Sequence, residues 1–143
     1  MKKKKCPPRE IVTYRLVPGG EQPMTLAACE FYSAERIAVE QGENYEVLIA
    51  PGQRWVDLWI PADPIKGCFN PLAILKGMRV PGARCFTVCA AYDENEDNLF
   101  HVPVGKSFRV LDGSSRLSFF ANDCEEYYEN NKGSIKVTVK RIS

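Results

Sequence analysis

The chain has 143 residues, of which 45% are hydrophobic and 26% charged, with 19 Lys and Arg against 18 Asp and Glu. Such a composition is that of one globular domain able to bury its own core, which excludes whole-chain disorder and makes two full domains a tight fit. Four of the basic residues form the run Lys2–Lys5 and leave the rest slightly acidic, so a nucleic-acid surface built on phosphate neutralisation is excluded, as is a membrane-spanning apolar segment.

Met1–Lys5 is charged like the start of a secretory signal, but Cys6-Pro7-Pro8-Arg9-Glu10 follows where an apolar stretch would be needed. Residues 1–10 are therefore read as a disordered basic tail and residues 11–143 as a single domain, with a cytoplasmic location. The six cysteines (Cys6, Cys29, Cys68, Cys85, Cys89, Cys124) are an even number that admits disulfides. A core of this size does not need them, and reduced thiols are the default.

Short runs of β-branched and aromatic residues then recur, separated by turn-forming clusters. They predict strands at Ile11–Val17, Met24–Tyr32, Arg36–Val39, Tyr45–Ala50 and Trp55–Ile60. Pro61 to Pro81 is broken by four prolines and reads as a long loop, with one helical turn allowed at Pro71–Lys76. Further strands are expected at Arg84–Ala91, Leu99–Val102, Ser107–Val110 and Arg116–Ala121, with Asp112-Gly113 as a hairpin turn. The last strand, Ser134–Arg141, is the clearest: Ile135, Val137 and Val139 share one face, Lys136, Thr138 and Lys140 the other. Many short strands at regular spacing, with no sustained helical period, predict an all-β class and a small antiparallel β-sandwich.

Between the last two strands lies Asn122-Asp123-Cys124-Glu125-Glu126-Tyr127-Tyr128-Glu129-Asn130-Asn131-Lys132-Gly133. Calcium takes six to eight hard oxygen ligands from carboxylates, amides and carbonyls in loops. A loop that curls back could aim Asp123, Asn130 and Asn131 at one point. As Asn, Asp and Gly also form ordinary turns, a metal-free structural loop is the competing reading.

The pattern Asn122-Asp123, Tyr128, Asn130-Asn131-x-Gly133-Ser134 before an alternating final strand resembles the PA-I family of calcium-dependent galactophilic lectins. Val39-x-x-Gly42-x-x-Tyr45-x-Val47-x-Ile49-Ala50-x-Gly52, then Trp55-x-Asp57, and Arg79-Val80-Pro81-Gly82-Ala83 extend the resemblance over roughly three quarters of the chain. It implies a galactose-binding-domain-like sandwich of jelly-roll type. It also implies a calcium ion held by the side chains of Asp123, Asn130 and Asn131, the Tyr127 carbonyl, and Asp57 as the nearest match to a fifth ligand. The implied partner is a galactose-like carbohydrate whose vicinal hydroxyls complete the metal shell, with Trp59, Phe69 or Tyr128 covering a ring face. Pro61–Pro81 contains neither the His nor the Gln that those lectins use, so galactose selectivity does not carry over. Lectins gain avidity from several sites, which makes a homo-oligomer plausible.

Other clusters carry less. Asp93–Asn98 lacks the Gly and Glu of a helix–loop–helix calcium loop and reads as a solvated acidic hairpin end. Cys85 and Cys89, four apart in a predicted strand, would stand ~13 Å apart, too far for a disulfide or shared zinc. Trp55 and Trp59, also four apart, read as core or as the rim of a binding surface. The single histidine, His101, lies in a short apolar run with no hallmark of a thiol hydrolase. A non-catalytic sugar-binding domain is thus the first expectation, and a β-sandwich interaction module without metal or sugar the second.

Overall fold

Along Ser134–Arg141, Ile135, Val137 and Val139 are buried while Lys136 on the opposite face is exposed, as the alternation requires. A computed structural model describes residues 6–111 and 113–143. The Lys2–Lys5 run and Asp112 of the expected Asp112-Gly113 hairpin lie outside the described residues. Twelve strands follow in chain order: β1 (Val12–Arg15), β2 (Glu21–Ala27), β3 (Glu35–Val39), β4 (Asn44–Leu48), β5 (Trp55–Asp57), β6 (Ile60–Ala62), β7 (Val88–Tyr92), β8 (Phe100–His101), β9 (Ser107–Arg109), β10 (Ser115–Ala121), β11 (Asn131–Lys132) and β12 (Ser134–Arg141). One helix, α1 (Pro71–Lys76), interrupts the long connection.

The strands form a five-stranded sheet β1-β3-β10-β7-β8, a four-stranded sheet β2-β12-β4-β9 and a small ribbon β11-β5-β6. All pairings are antiparallel except β1 with β3. The main core is shared by Ile37, Leu117, Phe119 and Val88 of the first sheet and Leu26, Tyr45, Val47, Ile135 and Val137 of the second. This is an all-β sandwich. Pro23 sits in β2, at an edge of its sheet, where a missing N–H costs no ladder bond. Among the described residues no helix is long and apolar enough to cross a membrane.

Strand β10 is buried along most of its length because it is covered on both sides. Leu117 and Phe119 face the main core, whereas Phe120 joins Cys89, Ala91, Ala83 and Tyr128 in a second cluster on the outer face. Arg79 runs through that cluster with its side chain only 2% exposed. Its guanidinium carbon lies 3.6 Å from the Phe120 ring centroid and 3.7 Å from that of Phe31. The same group donates to the Phe31 carbonyl and the Tyr128 hydroxyl and pairs with Glu96. Burial of a cation is tolerated here because every face of the guanidinium has a partner.

Three sequence expectations are corrected. Trp55–Ile60 is not one strand: Leu58 and Trp59 form a two-residue turn between β5 and β6, with Leu58 at φ 56°. Trp55 is buried and donates its indole N–H to the Phe86 carbonyl, while Trp59 projects from the turn at 79% exposure. Arg84–Ala91 becomes strand only from Val88, because Phe86 adopts φ 65° and its N–H is taken by the Asn122 carbonyl. Cys85 and Cys89 therefore sit in different clusters. Finally, Cys6 and Cys29 are joined in a disulfide and not reduced. Arg9 pairs with Glu30, so Cys6 and Arg9, read as tail from the sequence, are each tied to the domain.

Glu43 supplies a stability prediction. It bridges Arg15 at 2.5 Å and Arg141 at 2.9 Å and accepts from the Tyr45 hydroxyl. The Arg15 hydrogen bonds, opposed by burial and helped by Tyr45, hold its carboxyl down at about 2. A depressed carboxyl contributes stability above its ordinary value of about 4.5 and loses it as pH falls towards about 2. Discounted for the exposure of Arg15, Glu43→Gln should cost about 2 kcal/mol at pH 7 and nothing near pH 2. Urea unfolding at both pH values checks this, and equal losses at both would refute it.

Candidate functional site

The link from β10 to β12 turns Asn122, Asp123 and Asn131 inward and leaves Glu125, Glu126 and Glu129 in solvent. Asn122 is the anchor. Its Oδ1 accepts from the Val80 N–H, and its Nδ2 donates to the carbonyls of Val80, Ala83 and Arg84. The Arg79 N–H bonds the Asp123 carbonyl, so the Arg79–Ala83 motif is what grips the start of this loop. After a 3-10 turn over Glu125–Asn130, Asn131 enters β11 opposite Asp57 of β5. Gly133, at φ 83°, then lets the chain pass Trp55, whose Cα would be 3.7 Å from an added Cβ.

Asp123 is 1% exposed. Its Oδ1 accepts from the Cys124 N–H at 2.7 Å, and its Oδ2 has no hydrogen-bond partner. Burial pushes its carboxyl up to about 6; the charge of Asp57 adds to this, and the Cys124 N–H only partly offsets it. Asn131 donates its Nδ2 to the Ala28 carbonyl at 3.1 Å, and its Oδ1 receives no donor. The Oδ1 of Asn130 is likewise buried and unpartnered. Five buried side-chain polar atoms lack a partner among the described residues, and three belong to Asp123, Asn130 and Asn131; the others are hydroxyls of Ser115 and Ser118. Buried acceptors left without donors are expensive, at roughly 1–3 kcal/mol each. Carboxylate and amide oxygens without donors are the ligand type that a hard cation takes.

A groove of about 1000 Å³ is lined by Leu58, Trp59, Tyr127, Asn130, Asn131 and the Cys6–Cys29 disulfide, but not by Asp123. Tyr127 and Trp59 thus reach the groove. Phe69 is 71% exposed just ahead of α1 and does not line it. Tyr128 is buried, edge-on to Phe31 at 5.1 Å, with its hydroxyl given to the Ala121 carbonyl at 2.5 Å. Its ring belongs to the second core and cannot cover a ligand. His101 is exposed on β8, in register with the buried Cys89. The Asp93–Asn98 end is exposed, with Glu94 paired to Arg36 and Glu96 to Arg79.

Asp57 lies at the base of the ribbon, 2% exposed, and its Oδ2 accepts from the Asn70 Nδ2 at 2.6 Å. Burial raises its carboxyl above the ordinary range, with Asn70 and Cys85 pulling it back. Asn70 was not singled out from sequence, although an Asn ahead of Pro is a common helix start. The left-handed Leu58 was also missed, since no residue type there signals a turn. Compared with known proteins, the chain matches no protein-family model and no curated sequence.

Proposed function

We propose that the chain is a non-catalytic carbohydrate-binding domain that captures sugar hydroxyls through a calcium ion held in the 122–133 loop. The observation that carries this reading is the set of three buried, donor-less oxygens on Asp123, Asn130 and Asn131, the last two residues lining an open groove. The resemblance to the PA-I lectins picks out the same three residues independently. Asp123 would give a carboxylate oxygen, Asn130 and Asn131 their amide oxygens, and Tyr127 its carbonyl. Asp57, the nearest match to a fifth ligand, lies opposite Asn131 in the β5–β11 pairing. When bound, calcium supplies a divalent charge with open positions that vicinal hydroxyls can ligate. Trp59, on the groove wall and largely exposed, offers an apolar face for a sugar ring, and Trp59→Ala should weaken binding about fivefold.

A glycan array run in calcium and again in chelator tests the proposal. Binding of sugars with vicinal diols in calcium only, lost in Asn130→Ala, is expected. Equal binding in chelator, or none in calcium, sinks it.

A second reading, a protein-interaction module, draws on Phe69, Leu72, Ile74 and Leu75, all more than half exposed around α1. Apolar side chains clustered in one exposed segment favour a protein contact. Packed against a second copy, this surface would present two grooves together. Concentration-dependent sedimentation that disappears in Leu75→Glu is the result expected of that contact.

A further inference from the structure

Two thiols meet the buried carboxylate of Asp57. Cys68 and Cys85 face each other across an antiparallel bridge, with the Cys68 N–H donating to the Cys85 carbonyl at 2.9 Å. Their sulfurs and a carboxylate oxygen of Asp57 all lie within 4.8 Å of one another. The close approach is built in. Gly67 is at φ 76°, and a Cβ there would stand 2.5 Å from the Cys85 carbonyl oxygen. Any other residue would push the loop, and Cys68 with it, away from Cys85.

From this geometry we infer a second metal centre, in which Cys68, Cys85 and Asp57 bind one zinc-class divalent cation. Two thiolates and one carboxylate are a ligand set that suits a borderline-soft tetrahedral ion and not calcium. Sulfur–metal bonds of about 2.3 Å and oxygen–metal bonds of about 2.1 Å place ligand atoms within the separation found here. Binding releases two thiol protons to solvent, and the ion replaces the Cys85 S–H contact to Asp57, now 3.9 Å. Half-buried Cys68 leaves the fourth position to water.

Two further features favour an ion over a bare cluster. Asp57 is fully buried, has no cationic partner among the described ion pairs, and lies near the equally buried Asp123. Buried charge is normally paired or metal-bound. Asn70 also has the form of an outer-sphere support: its Nδ2 orients the Asp57 carboxylate while its Oδ1 caps α1 through the N–H groups of Leu72 and Ala73. Ligand carboxylates are typically held in this way. The centre would clip the 63–70 loop and α1 to the ribbon that carries the calcium loop.

Cobalt(II) added to the full chain is the probe. One equivalent should bind and give thiolate-to-cobalt charge-transfer absorption with a tetrahedral ligand-field spectrum. Cys68→Ser and Cys85→Ser should each abolish the charge-transfer band, and Asp57→Asn should weaken binding at least tenfold. Cys89→Ser and Cys124→Ser should leave the spectrum unchanged. If Cys85→Ser fails to fold, zinc protection of Cys68 and Cys85 from alkylation in the unmodified chain gives the same answer. The proposal is overturned by absence of the band, by a band that survives Cys68→Ser, or by peptide mapping that finds Cys68 and Cys85 joined in a disulfide.

Discussion

Replacing Asp123 by Asn should raise the melting temperature of the calcium-free protein by about 5 °C and abolish the further rise that calcium produces. The two effects have one cause. In the metal-free fold the Asp123 carboxylate is buried, has one oxygen without a donor, and lies close to the charge of Asp57. Such a group destabilises the fold that contains it, here by about 2 kcal/mol at neutral pH. Asparagine keeps the acceptor for the Cys124 N–H and turns the donor-less oxygen into an amide able to serve the neighbouring Asn oxygens. For a chain of this length 1 kcal/mol corresponds to roughly 3 °C. Unmodified protein should instead gain ~8 °C at a calcium concentration a hundredfold above its dissociation constant, because a ligand bound only by the folded state stabilises it by about 2.7 kcal/mol. Differential scanning calorimetry with calcium and with chelator reads both arms. A loss of stability in calcium-free Asp123→Asn would mean that the carboxylate is structural, and a retained calcium shift would place the ion elsewhere.

The second large effect is expected at Arg79, outside the groove. Arg79→Ala should cost about 4 kcal/mol in urea unfolding, a substantial part of the stability of a typical domain. The substitution removes a side chain packed between Phe31 and Phe120 at 3.7 and 3.6 Å, the cap on the Phe31 carbonyl, and the Tyr128 and Glu96 contacts. Each desolvated cation–ring contact contributes on the order of 1–2 kcal/mol. Lysine restores charge and stem but not the planar fork, so Arg79→Lys should recover less than half of the loss. Because Tyr128 lies within the 122–133 loop, calcium affinity should fall in the same variants. A cost below 1 kcal/mol for Arg79→Ala would show that the second core tolerates an open centre.

Several parts of this fold were legible before any coordinates. The β12 alternation is a local signal that was met by the expected strand, whereas the loop expected over Pro61–Pro81 begins only after β6 has taken Pro61 and Ala62. The short helix at Pro71–Lys76 also formed where one turn was allowed. Trp55–Ile60 misled because Val56, Asp57 and Leu58 look like strand, while the bend at Leu58 is imposed by pairing of β5 with β6 and β11. The cysteines misled for a similar reason: the Cys6–Cys29 and Cys68–Cys85 partners are 23 and 17 positions apart, and no local pattern links them.

For the candidate site, ligand type was written in the chain and ligand placement was not. Asp123, Asn130 and Asn131 could be chosen from sequence because carboxylate and carboxamide oxygens in one loop are what calcium needs. That their oxygens are buried and without donors depends on distant segments, whose nearby N–H groups are taken up elsewhere: Val80 by the Asn122 Oδ1 and Arg79 by the Asp123 carbonyl. Tyr128 shows the converse, an aromatic near the ligands in sequence that the second core draws inward. Periodicity and turn chemistry alone determined the all-β class. Only tertiary packing decided which polar atoms were left unpaired, because satisfaction of a buried oxygen is a property of everything that surrounds it.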